Sequence, residues 1–112
     1  MEESILTTIK KMLGITEDYT AFDLDIITHI NSVFLILNQL GVGPSDGFRI
    51  EDKSNTWDEY IKDSKQLNAV ETYIYLKVKL MFDPPLSSAV MKANEQMINE
   101  LEWRLNVEAE SK

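Results

Sequence analysis

Apolar and polar positions along this chain sort into stretches of helical period, divided by turn-forming residues. Ile5, Ile9, Met12 and Leu13 recur on one face and predict a helix from about Glu2 to Leu13, stopped by Gly14. Lys10 and Lys11 fall in its last turn, where cations suit the helix dipole. Ile26, Ile27, Ile30, Val33, Phe34, Leu37 and Leu40 form a broader stripe and predict a second helix over about Ala21 to Leu40, ended by Gly41. Asp23 and Asp25 suit its first turn, and Leu24 and Leu35 lie on flanking faces, which predicts contacts on more than one side.

Periodicity then disappears from Gly41 to Asn55. Gly41, Gly43, Pro44, Asp46 and Gly47 are turn formers, and residues 47–51 allow a short strand or hairpin with Phe48 and Ile50 on one face. A connection of this length in a compact domain is usually functional or interface-forming. Thr56-Trp57-Asp58-Glu59 reads as a capping box opening a short helix to about Asp63, with a turn near Asp63-Ser64. The central helix follows, about Lys65 to Phe82. One stripe holds Leu67, Val70, Ile74, Val78 and Met81, and a second holds Tyr73, Leu76 and Leu80. Two stripes require two packing partners. In a chain this short, the surplus over Tyr73–Phe82 predicts that other subunits supply one of them. Pro84-Pro85 forces a corner, Ser87 or Ser88 caps the last helix, and Val90, Ala93, Met97, Ile98, Leu101 and Leu105 stripe it to about Val107. The expected architecture is all-α: a bundle of four to five helices with a long central loop. Residues 1–107 form one domain and 108–112 a polar tail.

Composition narrows the function classes. The 112 residues carry a formal net charge of −8 and no cysteine. Thiolate chemistry, disulfides and cysteine-based zinc sites are thereby excluded. The acidic balance and only two arginines argue against a grip on DNA, where affinity comes mostly from cations displacing counterions. No apolar run reaches the roughly 20 residues a bilayer requires. The acidic start, Met1-Glu2-Glu3-Ser4, resembles no signal peptide, so synthesis in a cytoplasm is expected.

Candidate chemistry is sparse. His29 and Asp25 make an i, i+4 pair, but two ligands on one helix are not a metal site, and no further histidine exists to complete one. The carboxylate pairs Asp23/Asp25, Glu51/Asp52, Asp58/Glu59 and Glu100/Glu102 sit at helix starts, in a loop and on the last helix, where capping and solubility account for them. Gly41-Val42-Gly43 lacks the lysine and helix of a phosphate loop. No enzyme, cofactor or metal is expected. Trp57 and Trp103 stand among polar residues, as tryptophans at interfaces do, or else cover the domain's own core. Arg49 and Arg104 suit charge-paired contacts between subunits.

An ordered set of segments carries a resemblance. It comprises Phe22-Asp23, Asp25-Ile26-Ile27, His29 to Phe34, Gln39 to Gly43, Gly47-Phe48, Thr56-Trp57, Tyr73 to Leu80, Phe82 to Pro85, Ser87-Ser88 and Glu100 to Asn106. In these the chain resembles the small head–tail connector (adaptor or head-completion) proteins of long-tailed bacteriophages and prophages of Gram-positive bacteria. The resemblance implies a virion protein made in the host cytoplasm that docks under the capsid portal as a ring of twelvefold order. Such a ring extends the DNA channel and receives the stopper and tail. Its partners would be the portal protein, the stopper or tail-completion protein and copies of itself, with DNA passing unbound and no membrane involved. On that expectation Trp57, Tyr73, Leu76, Leu80, Trp103 and Arg104 belong to subunit or portal contacts. Asp46, Arg49, Glu51 and Asp52 belong to a loop facing the channel. The rival reading is a prophage-encoded helical adaptor or regulator, without catalysis, that binds one protein.

Overall fold

The structure is a computed structural model, and it describes residues 4–62 and 64–110. Five helices follow in order: α1 Ile5–Met12, α2 Asp23–Gln39, α3 Trp57–Tyr60, α4 Ser64–Phe82 and α5 Ser88–Glu110. Among the described residues the only β pairing is an isolated bridge between Ser4 and Thr56. The domain is all-α, as its periodicity requires.

Helix α1 starts at Ser4, whose side chain accepts from the Thr7 amide at 3.2 Å. The start expected at Glu2 lies outside the described residues. Ile5 and Ile9 are fully buried, joined by Leu6, while Met12 from the expected stripe is exposed. Helix α2 buries Ile26, Ile30, Val33, Phe34 and Leu37, and Gly41 at φ +87° ends it. The Asn106 side chain of α5 donates from Nδ2 to the Leu40 carbonyl at 3.2 Å, satisfying an acceptor that the helix end leaves open. Leu24 and Leu35 point to solvent within this chain, so neither makes the flanking contact expected of it here.

Helix α4 is the axis of the molecule. It packs on α2 on one side and α5 on the other, with α1 touching both α2 and α4. Val70, Tyr73, Ile74 and Val78 are fully buried and Leu76 nearly so. The two stripes therefore do have two partners, but both come from the same chain. The expectation that the Tyr73–Phe82 surplus requires other subunits is corrected for Tyr73, Ile74, Leu76 and Val78, which the bundle hides, whereas Leu80 and Phe82 stay half-buried and Met81 exposed. Each such side chain contributes about 1.5–3 kcal/mol on burial. Helix α5 buries only Ile98 and Leu105 fully, leaving Val90 and Met97 of its stripe exposed. It begins with the Val90 amide donating to the Ser87 hydroxyl at 3.4 Å and continues to Glu110, past the boundary expected at Val107. Residues 111 and 112 of the expected tail lie outside the described residues.

The long connection between α2 and α3 is ordered without a strand. Residues 47–51 form no β pairing. Asn31 of α2 instead serves both polar groups of Ile50, accepting from its amide at 2.7 Å and donating to its carbonyl at 3.0 Å. Phe34, Phe48 and Tyr60 close over this segment with ring centroids 4.6–5.2 Å apart. Gly43, at φ +85°, passes so close to Tyr60 that a Cβ would stand 2.5 Å from its ring. Only glycine fits both demands. The capping box at Thr56 is not formed. Glu59 Oε1 accepts from the Asn55 side chain at 3.0 Å instead, while the Glu59 amide donates to the Thr56 carbonyl at 3.1 Å. Asp63, where a turn was expected, lies outside the described residues.

Candidate interaction surfaces

Four of the ten side chains singled out by sequence sit within the chain's own packing or at its edge. Trp57 is buried against α1 and donates from Nε1 to the Thr8 hydroxyl at 3.0 Å. Its segment is further pinned by the Ile5 amide, which donates to the Asn55 carbonyl at 3.0 Å. Tyr73 is buried between α4 and α5, where its hydroxyl donates to Glu102 Oε2 at 2.7 Å. Burial raises the Tyr73 phenol above its ordinary range, and the Glu102 carboxylate raises it further. Leu76 is buried and Leu80 half-buried. Trp57, Tyr73 and Leu76 are thus committed to one subunit's core and offer no surface to another. What commits both rings is a polar partner across the fold, Thr8 for Trp57 and Glu102 for Tyr73, which local spacing does not reveal.

Trp103 and Arg104 are placed differently. Trp103 is 66% exposed on the outer side of α5, and Arg104 beside it binds Glu100 at 2.9 Å along the same helix. An exposed i, i+4 pair of this kind contributes only a few tenths of a kcal/mol. With Val90, Met97 and Val107 also exposed, α5 carries four large apolar side chains in solvent. The helix that the sequence reads as an ordinary core stripe is the one whose outer side stays uncovered.

The loop residues Asp46, Arg49, Glu51 and Asp52 are all exposed, but they do not converge. Asp46 and Arg49 border a hollow of about 290 Å³ with Asn31, Leu35, Asn38 and Phe48. Asp52 borders another, of about 600 Å³, near Leu6, Lys10 and Asp23. Asn55 holds the intervening turn by accepting from the Glu51 amide at 2.8 Å. Asp52 accepts from the Ser54 hydroxyl and amide, and these bonds, with Lys53 nearby, hold its carboxyl below the usual carboxylate range.

Sequence reasoning missed Lys10. It is 2% exposed, and its ammonium donates to the carbonyls of Glu17 and Tyr19 at 3.0 and 2.8 Å. The third neighbour, Asp23 Oδ1 at 2.8 Å, is an ion-pair contact rather than an aligned hydrogen bond. The pair ties the α1–α2 connection to both helices. A lysine in a last turn, followed thirteen residues on by an aspartate at a helix start, was the available clue.

Among the described residues no group of three or more His, Asp or Glu side chains is placed to hold a metal ion. No helix among them is long and apolar enough to cross a membrane. His29 is half-buried on α2. No curated protein and no solved structure matches the chain. A family model described as Phage connector protein matches residues 5–112.

Proposed function

The chain belongs to the phage connector protein family, and from that premise we propose that its copies close into a ring beneath the capsid portal, extend the DNA channel and receive the stopper and tail. Membership makes it a structural component of the virion that associates with other head and tail proteins. The observation that carries the finer reading is the extent of the match, which takes in all five helices. The exposed apolar side chains of α5 support it, because a ring needs surface left over after the subunit has folded. A head-to-tail ring uses two different surfaces per subunit and closes by rotation.

In this reading Trp103 and Arg104 on α5, with half-buried Leu80 of α4, meet the portal or the neighbouring subunit. The exposed carboxylates Asp46, Glu51 and Asp52 face the channel beside Arg49, so that DNA slides past a surface that repels its phosphates. One set of variants tests both assignments. Trp103→Ala lowers retention of the chain on purified portal at least tenfold, as expected of a buried tryptophan anchor. Asp46→Asn with Glu51→Gln and Asp52→Asn assembles normally but slows DNA ejection. Undiminished portal retention by Trp103→Ala removes the first assignment, and normal ejection by the triple variant removes the second.

A further inference from the structure

The outer face of α2 carries no charge. Residues 26–45 contain no Asp, Glu, Lys or Arg, in a chain that is 27% charged. Burial explains only part of this run. Thr28, Ser32, Leu35 and Gln39 face solvent, and the outward positions of a surface helix ordinarily hold its charged residues. With Ala21 and Leu24 they fall within about 80° of one another around the helix, at about 100° per residue. Leu24 is 76% exposed and Leu35 61%, with the smaller Thr28 and Ser32 between them. The Thr28 hydroxyl donates to the Leu24 carbonyl at 2.9 Å and the Ser32 hydroxyl to the Thr28 carbonyl at 3.1 Å. Both hydroxyl protons are thus satisfied inside the helix, and neither is stranded when the face is covered. Depletion of charge at this level marks the core of a protein interface.

We infer that this face docks on the same face of a second copy, the two α2 helices running antiparallel. Two observations choose that occupant. The pattern is self-complementary, as a two-fold contact demands. An axis midway between Thr28 and Ser32 sets Thr28 against the partner's Ser32 and Leu24 beside the partner's Leu35. Small side chains then meet at the crossing, and leucines close it at both ends. Charge is the second observation. Each copy carries a net charge of −8, so two copies approach most readily where neither presents a carboxylate. The exposed side of α5 does not match, because it interleaves its apolar side chains with Glu95, Glu100 and Glu110. Covering those carboxylates with an uncharged face removes hydration that the face does not replace. Asp25, at the edge of the arc, falls opposite the partner's Leu35, beside the hollow that Arg49 borders. The contact spans about three helical turns, at the small end of interfaces, so the pair dissociates on dilution. It forms in the free chain without a portal and does not rest on the connector reading.

The test is sedimentation equilibrium of the whole chain from micromolar to millimolar concentration, where a monomer–dimer equilibrium that stops at two copies is expected. Ser32→Arg and Thr28→Glu, both solvent-facing changes, each bring like charges together near the axis and weaken pairing about tenfold. Mixing the two variant chains restores it, because each new charge then meets its opposite, while Trp103→Ala leaves it unchanged. The chain has no cysteine, so disulfide trapping gives a second readout. Thr28→Cys mixed with Ser32→Cys is expected to cross-link faster than Trp103→Cys mixed with Ser32→Cys. A chain that stays monomeric, grows beyond two copies or loses pairing in Trp103→Ala overturns the inference. So does a mixture that pairs no better than either variant alone, or faster trapping through position 103. Pairing without an added layer on the portal keeps this inference and removes the connector ring. An added layer from a chain that is monomeric when free does the reverse.

Discussion

Lys10 shows how much one side chain decides. Its ammonium is out of water, hydrogen-bonded to two carbonyls and ion-paired with a carboxylate, so deleting it strands two acceptors and an anion at once. Lys10→Met is expected to destabilise the domain by about 3 kcal/mol in urea unfolding with an unchanged m-value. Asp23→Asn costs less, because that side chain is partly solvated and the two carbonyls still hold the lysine. Tyr60 and Tyr73 make stability depend on alkaline pH. Burial raises both phenols above the ordinary value of 10.0, with Glu102 adding to the rise at Tyr73. The unfolded chain therefore gives up these protons first. Their contribution is complete below about pH 10 and lost as pH climbs beyond it, at most about 1.4 kcal/mol per pH unit for each tyrosine. Tyr60→Phe is expected to flatten that decline in pH-dependent unfolding at no cost near neutrality, since the Tyr60 hydroxyl is buried without a partner among the described residues. None of these roles was legible from residue type. Lys10 looked like a last-turn cation, and the sequence left Trp57 open between an interface and the domain's own core, because each is defined by a partner distant in the fold.

At the scale of elements the sequence was far more readable. Four helices, α1, α2, α4 and α5, stand close to where periodicity placed them, and the short α3 follows Thr56 but ends at Tyr60; Gly14, Gly41 and Pro84-Pro85 mark three of the breaks. Where the local pattern gave way, a competing bond was the reason. The strand that residues 47–51 allow is replaced by the Asn31 clasp on Ile50, and the Thr56 capping box by the local Asn55–Glu59 contact. Most of the surplus on α4 is covered by α2 and α5. The clasp is testable by itself. Asn31→Ala leaves the buried Ile50 amide and carbonyl without their partner and is expected to cost about 2 kcal/mol. Hydrogen exchange should show residues 47–52 losing protection while α4 keeps its own. Retained protection of the Ile50 amide contradicts the clasp.

For the whole molecule, the picture is a bundle whose central helix is largely covered and whose α5 and outer α2 face are not. The sequence divided the expected subunit or portal contacts between Tyr73, Leu76 and Leu80 of α4, Trp57 of α3, and Trp103 and Arg104 of α5. The structure leaves apolar side chains uncovered on α5 and on the outer face of α2. Sequence hydrophobicity reports how much must be buried, whereas only the packing tells which part the subunit has already buried itself. The central claim, a connector ring on the portal, is tested most directly by electron microscopy of purified portal mixed with this chain. The account predicts an added annular layer that follows the portal's symmetry, with α5 toward a protein contact. Portal rings that remain bare at saturating chain, or that carry single scattered copies as a one-partner regulator would, contradict it.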